Sequence, residues 1–272
     1  MHLRLDWRQP IRIKMLMASI AVEGLSYHYP AGPKALEGVR FTIEPGARVG
    51  LVGPNGAGKT TLFLCLAGVL PAKPGMIALA GLDPADAAQR KQLPTKVGIV
   101  FPSSDDQLFN ATLFDDVAFG PLNLGLSPEE VRSRVAEALE KVGLRGLEQR
   151  VPFHLSGGEK RRAALAGVLA MRPEILLLDE PSIHLDPRGR RELIRLISAL
   201  PVTQLIASHD LELILEICQR VLVIDHGQIV ADGPARQLLA DAALMDAHGL
   251  EVPHSLLHRH PHGPEAQEPV NQ

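Results

Sequence analysis

Several short apolar runs, bounded by glycine or polar residues, recur along this chain. Runs of this kind are typical of strands that are buried on both faces of a parallel sheet. The predicted strands are 39–43, 49–52, 76–80, 175–178, 205–208 and 221–224, and 228–230 completes a hairpin with the last of them. Helix-like segments separate most of these strands, so the pattern predicts an α/β fold with a parallel-sheet core.

One segment between the third and fourth of these strands has a helical period instead. Ser127 is predicted to cap a helix in which Pro128 occupies the first turn and a glutamate follows three residues after the cap. Four apolar residues then recur along one face of this helix: Val131, Val135, Leu139 and Val142. The pattern predicts an all-helical insert over roughly residues 102–171, within a main domain that spans residues 18–245.

The turn after the second strand has the sequence GPNGAGKTT at residues 53–61, which is typical of a phosphate-binding loop. Glycines allow backbone N–H groups to turn toward phosphate oxygens, and the N-terminus of the following helix faces the same anion. Lys59 is predicted to reach the β- and γ-phosphates, and the Thr60 hydroxyl to bind Mg²⁺. The other residues predicted to contact the nucleotide are Gly53, Pro54, Asn55, Gly56, Ala57, Gly58 and Thr61. Because strand, loop and helix follow in the order that the motif requires, this function is favoured over a glycine-rich turn that binds nothing.

Two acids and a histidine follow predicted strands at places where they would meet the phosphates. Asp179 is predicted to bind Mg²⁺ through water, and Glu180 to act as a general base on the attacking water. His209 ends the next strand, where its imidazole could bond a γ-phosphate oxygen, although a lone histidine at a strand end is more often structural. A second anion site is predicted where Ser156 and two glycines open a helix. Serine and glycine are also ordinary helix-end residues, so this prediction depends on their position just before Asp179.

Together these segments resemble the ATP-binding cassette (ABC) family over nearly all of residues 18–233. The resemblance identifies the Walker A motif at 53–60, the signature at 155–159, the Walker B motif at 175–180, the D-loop at 182–186 and the switch histidine at His209. It implies a P-loop NTPase fold with a RecA-like parallel-sheet core, an N-terminal antiparallel β region and a helical subdomain. It also implies an ATPase that uses ATP and Mg²⁺, with Lys59, Glu180 and His209 as catalytic residues.

The same resemblance implies a head-to-tail homodimer in which two chains build each site. Ser156 and Gly158 of one chain would bind the γ-phosphate that Lys59 of the other chain holds. Gly157 and Asp186 belong to the same implied set of nucleotide contacts.

Tyr29 matches the aromatic residue that stacks on adenine in this family. An exposed tyrosine beside a proline turn is the alternative for this residue. Guanine is disfavoured because the chain lacks the Asn/Thr-Lys-x-Asp sequence that would recognise it, and the nearest segment, 95–98, has no acid.

The chain departs from the family pattern at Pro102. The family normally places here a glutamine whose amide touches Mg²⁺ and the attacking water. Proline has no polar side-chain group and a fixed φ, so residue 102 cannot make this contact. Ser103, Ser104 or Gln107 remain as substitutes if the loop moves. The expected consequence is hydrolysis that is slow but present.

The residues after Pro102 indicate which type of ABC ATPase the chain resembles. The segments SDDQLF (104–109) and DDVAFGP (115–121) look like those of the ATPase of energy-coupling factor importers, most of all the cobalt/nickel type. In that family the turn at the first segment lines a groove for a coupling helix of a membrane subunit. The alternative is a surface turn whose acids cap a helix, and this alternative is compatible with the same role. The motor of another ABC transporter, either a vitamin importer or an exporter, stays an alternative. A soluble, non-transport ABC ATPase is disfavoured because such proteins commonly carry two cassettes or a long coiled-coil insertion.

Composition agrees with these expectations. The chain has 272 residues, 46% of them hydrophobic, and no run approaches the roughly 18 apolar residues of a membrane span. A net charge of −3 without a basic face gives no support for nucleic-acid binding. Cys65 and Cys218 are predicted to be buried thiols, which suits a reducing cytoplasm. The resemblance therefore implies a peripheral subunit at the cytoplasmic face of the membrane, bound to an integral coupling subunit and a substrate-binding membrane subunit.

Both ends lie outside the region that carries the motifs. Residues 1–17 form a predicted extension without the apolar stretch of a signal peptide, and Met15 or Met17 is an alternative start. Residues 246–272 form a predicted flexible, histidine-rich tail. Imidazoles at this spacing can bind Ni²⁺, Co²⁺ or Zn²⁺, and a solvated tail without a ligand is equally compatible. The candidate ligands are His254, His258, His260 and His262.

Overall fold

The computed structural model describes residues 18–257 except residues 31 and 33. The strands are β1 (Ile20–His28), β2 (Lys34–Ile43), β3 (Arg48–Val52), β4 (Ile77–Leu79), β5 (Val97–Val100), β6 (Ile175–Asp179), β7 (Thr203–Ala207), β8 (Arg220–Asp225) and β9 (Gln228–Pro234). The α-helices are α1 (Lys59–Leu66), α2 (Ala87–Arg90), α3 (Leu113–Asn123), α4 (Pro128–Lys141), α5 (Gly157–Leu169), α6 (Pro187–Ala199), α7 (Leu211–Ile217), α8 (Ala235–Leu239), α9 (Ala242–Ala247) and α10 (His254–Leu257). Short 3₁₀ turns cover Leu93–Thr95 and Pro152–His154.

The strands form two sheets. An antiparallel sheet has the order β2-β1-β4, and a six-stranded sheet has the order β5-β6-β7-β3-β8-β9. All pairs in the larger sheet are parallel except β8 with β9. The predicted α/β fold, with a parallel core and an N-terminal antiparallel β region, is confirmed.

Alternate side chains of the central strands enter two different cores, as the period of two requires. Leu51 and Leu177 join a cluster with the antiparallel sheet and α1, whereas Val52 and Leu178 join a cluster with α6 and α7. Burial of both faces explains why these strands appear in the sequence as continuous apolar runs.

The strand order determines where the loops meet. β3 lies between β7 and β8, and β6 is the other neighbour of β7. Because parallel strands end at the same edge of a sheet, the loops after β3, β6 and β7 converge at one place. These loops carry the phosphate-binding pattern, the two acids and the histidine.

The helices α3, α4 and α5 form a separate lobe with its own apolar core. The Ser127 hydroxyl accepts a hydrogen bond from the Glu130 N–H at 3.3 Å, which confirms the predicted N-cap. The buried core of this lobe includes Leu113, Val117, Val131, Val135, Leu139, Val142, Leu155 and Ala163.

The C-terminal region differs from the sequence prediction over residues 246–257, which contact the main domain instead of extending freely. His248 Nδ1 lies 2.9 Å from Asp225 Oδ2, and the Ser255 hydroxyl donates to the Glu212 carboxylate at 2.7 Å. Charge-assisted hydrogen bonds of this kind stabilise a docked segment. The extension at residues 1–17 and the histidines 258, 260 and 262 lie outside the described residues.

The predicted burial of both cysteines is confirmed. Burial raises the pKa of the Cys65 thiol to about 11 and that of the Cys218 thiol to about 12, so neither is a reactive thiolate at neutral pH. Among the described residues, no helix combines the length and apolar character needed to cross a membrane.

Candidate nucleotide-binding and hydrolysis site

The phosphate-binding loop joins β3 to α1 and requires glycine at particular positions. Gly56 and Gly58 have φ values of 80° and 108°, which side-chain-bearing residues rarely adopt. A Cβ atom on Gly53 would lie 2.0 Å from the Ile224 carbonyl oxygen, so the loop passes directly against the end of β8. The glycine conformations and the neighbouring strand therefore hold the loop in a shape that suits anion binding.

Lys59 is held by the loop that precedes it. Its ammonium donates hydrogen bonds to the carbonyl oxygens of Gly53 at 2.6 Å and Pro54 at 3.1 Å. Burial lowers the pKa of Lys59, while the Glu180 and Asp179 carboxylates act in the opposite direction. The ammonium is thus oriented at the mouth of the loop, where a phosphate oxygen would replace a carbonyl.

Thr60 and Asp179 form the contact expected of a magnesium site. The Thr60 hydroxyl donates to Asp179 Oδ2 at 2.8 Å, and Asp179 is only 1% exposed. Burial raises the pKa of Asp179, and the hydrogen bond from Thr60 opposes this rise. A buried carboxylate beside a hydroxyl is a hard oxygen donor pair of the type that Mg²⁺ prefers. The residues present therefore fit the ion.

Glu180 follows β6 in an unusual backbone conformation. Its φ is 47°, in the left-handed region that non-glycine residues seldom occupy and that often marks functional sites. Its Oε2 atom accepts hydrogen bonds from the Ser208 hydroxyl and the His209 N–H, both at 3.2 Å, and lies 2.8 Å from His209 Nδ1. The structure thus brings the predicted base and the predicted switch histidine into contact.

Tyr29 lies at the edge of the same cavity. Its hydroxyl is 3.2 Å from Thr61 Oγ1, and the residue is 40% exposed. Together with the phosphate loop, Asp179 and Glu180, it lines a cavity of about 370 Å³. An exposed aromatic face at this place is available to stack on a base.

The signature residues line a different cavity. Ser156 caps α5 and forms a reciprocal capping box with Glu159, and Asp186 caps α6 by accepting from the Gly189 N–H at 2.7 Å. Ser156, Gly157, Gly158 and Asp186 share a cavity of about 400 Å³ that has no lining residue in common with the phosphate-loop cavity. Within one chain, the structure does not bring these two sets of predicted residues together.

None of the three candidate substitutes for the missing glutamine lines the phosphate-loop cavity. The Gln107 amide accepts from the Phe101 N–H at 2.9 Å and donates to the Ile99 carbonyl at 3.2 Å. Ser103 and Ser104 line a separate cavity beside α5. In this structure, Gln107 therefore does not take the place of the glutamine that is expected at position 102.

Sequence reasoning missed two residues of the site, Ser208 and Arg161. Ser208 is fully buried and bonds Glu180, while Arg161 donates to the carbonyl oxygens of Phe101, Pro102 and Glu180. One signal was available, because Arg161 falls on the same helical face as the apolar Leu165 and Val168. A charged residue on an apolar face indicates a buried polar contact.

The predicted transition-metal ligands of the tail stay a prediction. Among the described residues, no group of three or more His, Cys, Asp and Glu side chains is placed to hold a metal ion. His254 lies in α10, and the other three histidines are outside the described part of the chain.

Comparison with known proteins identifies the family of this chain. The model of the ABC transporter family matches residues 36–183, more than half of the chain. The chain therefore belongs to this family and is an ABC ATPase, the ATP-binding subunit of a transporter.

Individual relatives are similar over most of their length. The energy-coupling factor transporter ATP-binding protein EcfA of Methanothermobacter thermautotrophicus is 47% identical over 239 residues, which are 86% of this chain and 76% of the relative. The structure of CbiO1 from Clostridium perfringens, part of the ABC transporter complex CbiONQ, is 34% identical with a TM-score of 0.75 and covers 88% of this chain and 98% of that one. A dimeric ATP-binding cassette with bound ADP and phosphate, at 24% identity and a TM-score of 0.71 over 79% of this chain and 98% of that one, shows the same fold.

Proposed function

We propose that this chain hydrolyses ATP to power an energy-coupling factor importer for cobalt or nickel ions. The observation that carries this proposal is an apolar groove beside the SDDQLF segment, with an exposed pair of aromatic rings at its rim. Similarity to EcfA and CbiO1 supports the importer type. The choice of metal ion rests on the resemblance of segments 104–109 and 115–121 to the cobalt/nickel type.

The proposed hydrolysis uses the residues gathered at the ends of β3, β6 and β7. Lys59 exchanges its loop carbonyls for β- and γ-phosphate oxygens, which gives a charge-assisted contact. Thr60, and Asp179 through water, would hold Mg²⁺, and the ion would neutralise phosphate charge when bound. Glu180, oriented by Ser208 and His209, accepts a proton from the attacking water.

The proposed oligomer is a head-to-tail homodimer. In a single chain the signature cavity and the phosphate-loop cavity are separate, so neither contains all the predicted contacts. A second copy facing the first in the opposite direction would supply Ser156 and Gly158 to the γ-phosphate. This arrangement would place a helix N-terminus against that anion.

The proposed docking groove lies between α3, α5 and the end of β5 and has a volume of about 570 Å³. Phe109 and Phe119, which are 61% and 49% exposed, form an edge-to-face pair at its rim. Asp116 is 7% exposed and accepts three hydrogen bonds from Phe109 and Asn110, all at its Oδ1 atom. Its buried Oδ2 atom has no hydrogen-bond partner among the described residues.

These features fit an amphipathic helix of the membrane subunit. Such a helix would cover the two aromatic rings with its apolar face. Asp116 holds the turn that carries Phe109, through the hydrogen bonds at its Oδ1 atom. Asp105 pairs with Lys160 at 2.7 Å outside the groove, whereas Asp106 lines the groove.

The test is co-purification of the full-length chain with integral membrane proteins after mild detergent extraction. Phe109→Asp should reduce the co-purified membrane subunit at least fivefold while ATP binding by the chain alone stays normal. Phe153→Asp is the matched control, because Phe153 is 81% exposed on the same lobe but does not line the groove. Equal loss from both variants contradicts docking in the groove.

The metal ion is tested separately with the assembled complex. Membrane vesicles that contain it should accumulate Co²⁺ or Ni²⁺ only when MgATP is present on the side of this subunit. Elemental analysis of the vesicles measures the uptake. ATP-dependent uptake of neither ion contradicts the proposed substrate while leaving the importer role to the docking experiment.

A further inference from the structure

Arg161 is a buried cation whose contacts differ from those of an ordinary ion pair. It lies in the second turn of α5, is only 3% exposed, and forms no salt bridge with any residue that the structure describes. Burial lowers the pKa of its guanidinium, and the Asp179 carboxylate acts in the opposite direction. A buried charge without a paired carboxylate must be compensated by hydrogen bonds.

These hydrogen bonds all go to backbone carbonyls at two strand ends. One terminal nitrogen donates to the Phe101 carbonyl at 2.6 Å. The other donates to the Pro102 carbonyl and, in a longer contact of 3.4 Å, to the Glu180 carbonyl. The planar guanidinium therefore connects the end of β5, the end of β6 and the signature helix.

The contact with Glu180 falls on a residue whose backbone needs support. A non-glycine residue in the left-handed region is strained and persists only when its surroundings hold it. The Glu180 N–H donates to the Ala207 carbonyl at 2.8 Å, and the Glu180 carbonyl also accepts from the Ile183 N–H at 3.2 Å. The hydrogen bond from Arg161 links the Glu180 carbonyl to the helical lobe.

We propose that Arg161 is a positioning residue for ATP hydrolysis, which holds Glu180 and the Pro102 turn in fixed relation to the signature helix. The inference rests on the proposed role of Glu180 as general base. Because Pro102 has no polar side chain, this turn is attached to its surroundings through its carbonyl rather than through a side-chain amide. Ser156 caps the same helix five residues earlier, so one helix carries both the signature serine and Arg161.

The test compares Arg161→Met, which keeps apolar volume but removes every donor, with Arg161→Lys, which keeps the charge and one donor group. Single-turnover hydrolysis by excess full-length chain and equilibrium binding of ATP are measured for both. We expect Arg161→Met to lower the hydrolysis rate at least tenfold with ATP affinity within twofold, and Arg161→Lys to recover part of the rate. Arg48→Met is the matched control, because Arg48 also donates to a carbonyl, that of Ser198 at 2.7 Å, away from the site.

A second comparison separates positioning from general stability. In a chain that already carries Glu180→Gln, Arg161→Met should change the residual rate less than threefold, because both changes act on the same group. A normal rate in Arg161→Met, or a loss that matches its loss of ATP affinity and equals that of Arg48→Met, overturns the inference. Undiminished turnover in Glu180→Gln alone contradicts the proposed base instead, so the two failures are distinguishable.

Discussion

The Asp179 carboxylate is buried at the end of β6. Its pKa is raised by burial because a low-dielectric environment disfavours the charged form. At a pH below the ordinary aspartate pKa the side chain is neutral in the folded and the unfolded chain alike. As the pH rises through the raised folded-state pKa, ionisation costs more in the folded chain, so this residue lowers stability toward neutral pH.

Because ionisation of the buried Asp179 lowers stability at neutral pH, Asp179→Asn is expected to stabilise the ligand-free chain. At pH 7.5 we expect its Tm to rise by roughly 2–4 °C, the shift that about 1 kcal/mol produces in a chain of this size. The difference should shrink as the pH is lowered below the folded-state pKa. Thermal unfolding between pH 4.5 and 8 measures it, and the same variant should lose the stabilisation that MgATP gives to the wild type. A lower Tm for Asp179→Asn at pH 7.5 contradicts the assigned sign.

Substitutions of Glu180 and Lys59 are predicted to impair different steps. Glu180→Gln should bind ATP, hydrolyse it at least a hundredfold more slowly and accumulate as a closed dimer, because only the proton acceptor is lost. Lys59→Ala should instead lose triphosphate affinity, since a charge-assisted phosphate contact disappears. Nucleotide binding and size-exclusion chromatography with MgATP distinguish the two, and wild-type turnover in Glu180→Gln refutes its role.

At the scale of elements, the parts that the sequence predicted are those determined by local rules. The N-cap at Ser127 depends on atoms three residues apart, and the phosphate loop depends on glycine conformations within a few residues. The contacts of Arg161 and Gln107 depend instead on how α5 and the loop after β5 pack together. Side chains that bond backbone carbonyls of another element leave no motif, so these contacts were not predictable in detail.

The turn that contains Pro102 allows a prediction about the missing amide. Pro102→Gln should raise the rate of ATP hydrolysis a fewfold, because it restores a group that can orient the attacking water. The carbonyl of residue 102 can keep its bond to Arg161, since this bond does not involve the side chain. Turnover is compared in the free chain and in the assembled transporter, and an unchanged rate in both means that the amide contact does not matter in this protein.

For the whole molecule, the separation of the two cavities predicts complementation between defective chains. Lys59→Ala and Ser156→Arg should each be inactive alone, because every homodimeric site then lacks one contribution. A mixed dimer has one site with both defects and one intact site, so the mixture should regain measurable ATPase activity. Hydrolysis at increasing ratios of the two variants measures this effect, and a mixture as inactive as its parents contradicts a site shared between chains.

The bond between His248 and Asp225 determines how far the chain can be shortened. The turn after Asp225 reaches the phosphate loop, because the Gly227 N–H donates to the Ala57 carbonyl at 3.0 Å. The hydrogen bond from His248 is the main cause that lowers the pKa of Asp225. A stop codon after residue 257 should therefore leave ATP affinity intact, whereas one after residue 247 should weaken it. Any shortened version of the protein should therefore keep His248, and an affinity tag should be attached after this residue.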